Sequence, residues 1–205
     1  DMVSRGLGDV YKRQDIKEMN MSKMSKIKVG IIGIGNCAKS LVEGIQYYKA
    51  NPEDKVGLMY DTIGGYTVNE IEFVVGFDVD RRKVNKPLVD ALRAAPNCAM
   101  DHVEEILENG SNTAGCIKKG AMVYSGPELD GVAPHMLDYP EEVSFRTGAE
   151  AAKSFDDIVN IVKDTEVDVL INYAPVGSEK LSKFYIDVAL KAVSYTHLTL
   201  PTRYR

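Results

Sequence analysis

An α/β fold built on a parallel sheet with helices on both faces is what this sequence predicts, and three observations carry the prediction. Short β-branched runs recur, KIKVGII at 26–32, EFVVGFDVD at 72–80 and VDVLINY at 167–173. Each is continuously apolar rather than alternating, as strands buried on both faces are. Segments with helical periodicity lie between them. The first strand also runs straight into a glycine loop that opens a helix, GIGNCAKS at 33–40. Strands and helices that alternate in this way close most simply into a parallel sheet, each crossover helix packing back onto it.

The elements follow in order. After the glycine loop, Ala38, Leu41, Val42, Ile45 and Tyr48 recur near a 3.6-residue period and make one helical face, which Asn51-Pro52 ends. Within 56–70, Gly64-Gly65 predicts a hairpin turn between two short strands. The second buried strand ends in acid at Asp78 and Asp80. Residues 85–115 read as helix and loop, and AMVYSGPELDG at 121–131 as a strand entering a glycine-rich loop. A short helix at 155–163 precedes the third buried strand. After the loop APVGS comes a helix whose apolar face is Leu181, Phe184, Tyr185, Val188 and Ala189. No internal repeat is visible.

Bulk properties exclude several functions. The net charge of −5 gives no electrostatic case for nucleic acid or an anionic membrane as partner. No apolar run approaches the roughly 18 residues of a membrane span, and the amino terminus lacks a secretory core. Cys37, Cys98 and Cys116 are an odd set without CxxC spacing; they indicate neither a disulfide framework nor a zinc site and read as reduced thiols of a cytoplasmic protein. The two ends have no periodicity. VSRGLGDVYKRQ at 3–14 and SYTHLTLPT at 194–202 resemble translated sequencing-adapter sequence, and Pro201 breaks any strand at the tail. The expected division is therefore an artefactual leader at 1–14, a natural segment at 15–193 and an artefactual tail at 194–205.

The chemistry sits at strand ends. Gly33-x-Gly35-x-x-Ala38 lies between a strand and a helix, the context that gives this spacing meaning. Gly33 permits the tight turn, Gly35 lets the backbone approach a pyrophosphate, and Ala38 lets helix and strand pack closely. The helix amino terminus offers free N–H groups and the positive end of its dipole. This is a Rossmann-type doubly wound sheet with NAD as its expected ligand. Asp78 ends the second strand, where an acid binds the adenosine ribose hydroxyls. It stands more than twice the usual interval of about 20 residues past the glycines, which the 56–70 hairpin explains as an insertion. A carboxylate there repels a 2′-phosphate and favours NAD over NADP; Arg81 and Arg82 close by pull the other way. At the end of the third strand, Tyr173, Pro175, Val176, Gly177 and Ser178 form a loop against the nicotinamide side, with Ser178 placed to cap the next helix. His102, His135 and His197 stand isolated, so no histidine is placed as a base. Asp101, Glu104 and Glu105 read as a solvated helix face, and Lys153, Lys163, Lys180 and Lys183 as solvated lysines.

Taken together, GIGNCAKSLVEGIQYYK (33–49), GLM (57–59), FVVGFDVDRRKV (73–84), GPELDG (126–131) and VDVLINYAPVGSEK (167–180) resemble the myo-inositol-1-phosphate synthase family in its shorter actinobacterial and archaeal type. The blocks stand in the family's order across nearly all of 26–190. The resemblance implies an isomerase that converts glucose 6-phosphate to inositol phosphate with tightly held NAD. It oxidises the C5 hydroxyl, enolises at C6, closes the ring by an intramolecular aldol attack on C1 and then reduces the product. Gly33, Gly35, Asn36, Cys37 and Ala38 are then the phosphate loop, Asp78 the ribose ligand, and Tyr173 with Pro175 to Ser178 the nicotinamide-side loop. The family's catalytic lysines and its GDD-type acidic contact are expected beyond this chain, in a full-length protein that is a homo-oligomer. Lys39 departs from the family's small serine and is expected to add charge near the phosphates. The alternative is the cofactor domain of an ordinary NAD(P)-dependent dehydrogenase; the GNCA and PVGSE blocks argue against it.

Overall fold

The computed structural model describes residues 25–110, 115–132, 134–148, 152–192 and 195–197. Strands β1 (Ile27–Ile32), β2 (Ile71–Asp78), β3 (Val123–Ser125), β4 (Val169–Asn172) and β5 (Tyr195–His197) form a parallel sheet in the order β3-β2-β1-β4-β5. Its helices are α1 (Asn36–Ala50), α2 (Leu88–Arg93), α3 (Phe155–Asp164) and α4 (Glu179–Ala192). The strand order reverses between β1 and β4, because the chain winds outward to β2 and β3 on one side and to β5 on the other.

Burial divides into two cores, one on each face of the sheet. Val29 and Ile31 of β1 pack with Ala38, Val42 and Ile45 of α1 and with Leu88, Ala91 and Leu92 of α2. On the other face Ile32, Val75 and Phe77 pack with Ile158 and Val162 of α3 and with Leu181, Tyr185 and Val188 of α4. The continuously apolar strands are thus explained by cover on both sides. One residue in β2 adjusts the fit. Val29 pairs with Phe73 but Gly30 pairs with Val75, so Val74 is an extra residue. A single inserted residue exchanges the faces of everything beyond it. Phe73 therefore faces α1, whereas Val75 and Phe77 face α4.

A polar stripe on α1 holds the irregular segment that follows α2. Lys39, Glu43 and Gln46 are buried although they are polar. The Lys39 ammonium donates to the Ala99 carbonyl at 2.7 Å, Glu43 accepts the His102 N–H at 2.8 Å, and Gln46 accepts the Leu107 N–H at 2.7 Å while donating to the Glu105 carbonyl. Residues spaced by three and four on a helix share a face, and here that face supplies partners to backbone groups that have no ladder of their own. Lys39 also pairs with Asp101 at 2.7 Å. The charge expected near the phosphates is thus committed elsewhere. Asp101, Glu104 and Glu105 belong to this irregular stretch and not to a helix face.

Two further expectations are corrected. The Gly64-Gly65 turn is present, with Ile63 and Tyr66 exchanging backbone hydrogen bonds of 2.9 and 3.0 Å, but no strands flank it. A hairpin of that length with nothing packed on it has no reason to extend. The tail, read as loop, contributes Tyr195–His197, which pair in parallel with Val169, Leu170 and Ile171. The open edge of β4 offers unpaired backbone groups to whatever extended chain follows α4, and Pro201 lies beyond the paired residues. The leader at 1–14 and the rest of the tail lie outside the described residues.

Candidate functional site

The carboxyl ends of β1, β2, β3 and β4 surround a cleft of about 290 Å³. In open α/β sheets ligands sit there, at the reversal of strand order, because the helices leaving adjacent strands diverge to opposite faces.

The glycine loop forms its floor. Gly33 has φ +83° and donates its N–H to the Phe77 carbonyl at 2.8 Å, which ties the loop to β2. A Cβ on Gly33 would lie 2.9 Å from the Tyr173 carbonyl oxygen, so the turn admits no side chain. Gly35 is different: a Cβ there would meet nothing within 4 Å, and the residue lines the cleft. Gly35 is the N-cap of α1 and offers no side-chain cap. The first-turn N–H groups of a helix uncapped by side chains are the usual seat of an anion. Ala38 lies fully buried beneath them.

Asp78 stands at the end of β2 and braces the same loop. One carboxylate oxygen accepts the Ile34 N–H at 2.7 Å; the other accepts the N–H groups of Val79 and Asp80 at 2.7 and 2.8 Å. A carboxylate has about four acceptor positions, so capacity for a hydroxyl donor remains. Lys83 and Asn97, which the sequence did not single out, complete this wall. The Lys83 ammonium donates to the Ile34 carbonyl at 2.7 Å and to Asn97 Oδ1 at 2.8 Å. Burial lowers its pKa, opposed by the charges of Asp78 and Asp80. Asn36 anchors the neighbouring wall, its Oδ1 accepting the N–H groups of Cys98 and Ala99 at 2.8 Å each. The signal for Lys83 was its place directly after the acid-ended strand. Nothing local marked Asn97, whose amide also donates to the Ile34 carbonyl at 3.1 Å, more than sixty residues earlier in the chain.

The expected site residues divide by position. Gly33, Gly35, Asn36, Asp78, Tyr173 and Pro175 line the cleft. Cys37 is exposed on the first turn of α1, and Val176 and Gly177 project beyond the rim as exposed residues. Ser178 is buried, and its hydroxyl donates to the Pro175 carbonyl at 2.6 Å, so it shapes the loop and does not cap α4. The cap comes from Asp130 in GPELDG, whose carboxylate accepts the Lys180 and Leu181 N–H groups at 2.8 and 2.9 Å. Those bonds hold the Asp130 carboxyl below the usual carboxylate range. The cap is therefore intact at neutral pH and is lost as the pH falls through that lowered value. Asp130→Ala is expected to lower Tm by about 2–4 °C, the usual cost of a lost cap in a domain of this size. Thermal melts at pH 7 and pH 3 check this, and the difference between variant and parent should shrink at the lower pH.

Strand order, glycine loop and cleft together define a Rossmann-type α/β domain. Two solved structures share the fold: the crystal structure of Ari2, with a TM-score of 0.61 and 24% identity over 82% of this chain and 43% of that one, and a myo-inositol-1-phosphate synthase-related protein from Thermotoga maritima, with a TM-score of 0.51 and 17% identity over 81% of this chain and 44% of that one. No protein-family model matches the chain. Curated sequences are closer. The inositol-3-phosphate synthase of Corynebacterium glutamicum is 40% identical over 170 residues, 82% of this chain and 42% of that protein. The inositol-3-phosphate synthase of Mycolicibacterium smegmatis is 38% identical over 169 residues, 82% of this chain and 41% of that protein. The chain is thus a homologue of the inositol-3-phosphate synthases over four fifths of its length, the family its sequence blocks resembled, and it spans about two fifths of the length of these relatives.

Among the described residues no helix is long and apolar enough to cross a membrane. Cys116 is buried, and burial pushes its thiol up to about 11, which removes it as a nucleophile at neutral pH.

Proposed function

We propose that this chain is the NAD-binding part of an inositol-3-phosphate synthase, a cytoplasmic enzyme that turns glucose 6-phosphate into inositol phosphate. The observation that carries the reading is the meeting of two features at the strand-order reversal. The α1 amino terminus has no side-chain cap and opens beside a glycine with no Cβ, and Asp78 stands at the adjoining strand end. The first suits a pyrophosphate and the second a ribose diol, so a dinucleotide fits both. NAD supplies the oxidation of the sugar and the closing reduction, leaving the overall conversion redox-neutral. This chain's residues bind and orient it: Gly33 to Ala38 seat the phosphates, Asp78 takes the ribose, and Tyr173 with Pro175 to Ser178 lies towards the nicotinamide. The acid–base groups that act on the sugar, and the contacts between subunits, are assigned to the part of the relatives' length that this chain does not span.

The test is calorimetric titration of the chain with NAD and with NADP. Parent chain should prefer NAD. Asp78→Asn should weaken NAD about tenfold, because an amide nitrogen then opposes the Ile34 N–H and a charged acceptor is lost. The same variant should narrow the preference over NADP, since the charge that repels a 2′-phosphate is gone. Equal affinity of the parent for both cofactors would sink the assignment of Asp78.

A further inference from the structure

Three cations, Arg81, Arg82 and Lys83, follow the ribose acid after Val79 and Asp80, and each is held by an acceptor of the protein itself. This crowding matters because arginines near the end of the second strand are the groups that accommodate a 2′-phosphate. Lys83 is bound to Ile34 and Asn97, as described. Arg82 pairs with buried Asp80 through both carboxylate oxygens, at 2.9 and 2.6 Å, and donates further to the carbonyls of Glu141 and Ser144 at 2.6 and 2.7 Å. Its side chain is only 18% exposed. Arg81 is the loosest of the three. Its side chain is 49% exposed and makes one ion pair, to Glu141 at 2.8 Å.

The acceptors come from one segment. The Arg81 N–H donates to the Arg146 carbonyl at 2.7 Å, and the Arg146 side chain donates to the Tyr139 carbonyl at 2.6 Å. The stretch 139–146 is thus stapled to the turn after β2. Its Val143 and Phe145 line the cleft. The segment that lends Val143 and Phe145 to this wall also supplies, from Glu141, Ser144 and Arg146, the acceptors that occupy the arginines.

Resting on the NAD reading above, we infer that Glu141 is a specificity-determining residue: by holding Arg81 it withholds from the cleft the cation that would accept a 2′-phosphate. Cofactor choice then has two parts. Asp78 repels the extra phosphate, and Glu141 neutralises the group that would reward it. A free guanidinium forms charge-assisted, often bidentate bonds to phosphate, so releasing one is a gain for NADP alone.

The experiment measures NAD and NADP affinities by calorimetry for the parent chain, for Glu141→Gln and for Glu141→Gln combined with Arg81→Ala. Glu141 is nearly half exposed, so its amide variant should fold like the parent, which a thermal melt verifies. Glu141→Gln is expected to tighten NADP about tenfold, the scale of one hydrogen bond to a charged group, and to leave NAD within about twofold. Adding Arg81→Ala should abolish the gain, which a merely structural role for Glu141 would not require. A ratio of affinities unchanged by Glu141→Gln, or a gain that persists without Arg81, overturns the inference while leaving the NAD reading standing. A parent chain that binds neither cofactor overturns the NAD reading itself.

Discussion

Gly35→Val is expected to abolish measurable NAD binding while leaving thermal stability nearly unchanged, whereas Gly33→Ala is expected to lower stability first and to lose binding as a consequence. The two glycines look equivalent in sequence and are not. Gly33 has φ +83°, and its Cβ would lie 2.9 Å from the Tyr173 carbonyl oxygen and 3.0 Å from the carbonyl carbon. The left-handed conformation costs a residue with a side chain about 1–2 kcal/mol. The contact with backbone then forces β1 and β4 apart at their ends, the overpacking that typically costs about 1–3 kcal/mol. Gly33→Ala should therefore lower Tm by several degrees, with binding lost through the distorted loop. Gly35 has φ −95°, an ordinary value, and open space where a Cβ would go. Change there should stay within about 0.5 kcal/mol of the parent, yet the valine side chain would occupy the approach of the pyrophosphate to the α1 amino terminus. Paired melts and NAD titrations separate the two effects. Normal NAD affinity in Gly35→Val would refute the placement of the phosphates.

The second large effect is an absence of turnover: the 205-residue chain should form no inositol phosphate from glucose 6-phosphate even with NAD in excess. Oxidation and ring closure require acid–base groups held at the substrate, each typically contributing 10²–10⁴-fold, and preorganised charge at the developing oxyanions, usually the largest contribution. The lysines described here do not form such a group. Lys183 pairs with Glu179 at 2.8 Å, Lys39 with Asp101 at 2.7 Å, and Lys83 is spent on the glycine loop and Asn97. Lys163 and Lys180 are exposed, and Lys153 is half-buried. A chromatographic assay for inositol phosphate decides the matter, run beside a chain extended to the length of the relatives. Product from the 205-residue chain would overturn the division of labour, and an inactive extended chain would count against the proposed activity.

Much of this protein was legible along the chain because its signals are local. A continuously apolar run reports burial on both faces wherever it stands, so β1, β2 and β4 could be read directly. Gly33 and Gly35 were legible as a pair because strand, turn and helix adjoin. What the chain could not show are interactions closed by the fold across long separations. Asp130 caps α4 from fifty residues away, which displaced Ser178 from that role. Lys39, Glu43 and Gln46 look like a solvated helix stripe until the 99–107 segment is laid over them, and Lys39 is then unavailable to any phosphate. Arg81 and Arg82 read as free cations until 139–146 folds onto them. The sequence by itself determined which segments are buried and where the backbone must turn, since those depend on a residue's own size, polarity and allowed φ. Only the tertiary structure decided which polar groups are free to meet a ligand, because a charge is free or spent according to partners that burial, not sequence distance, brings beside it.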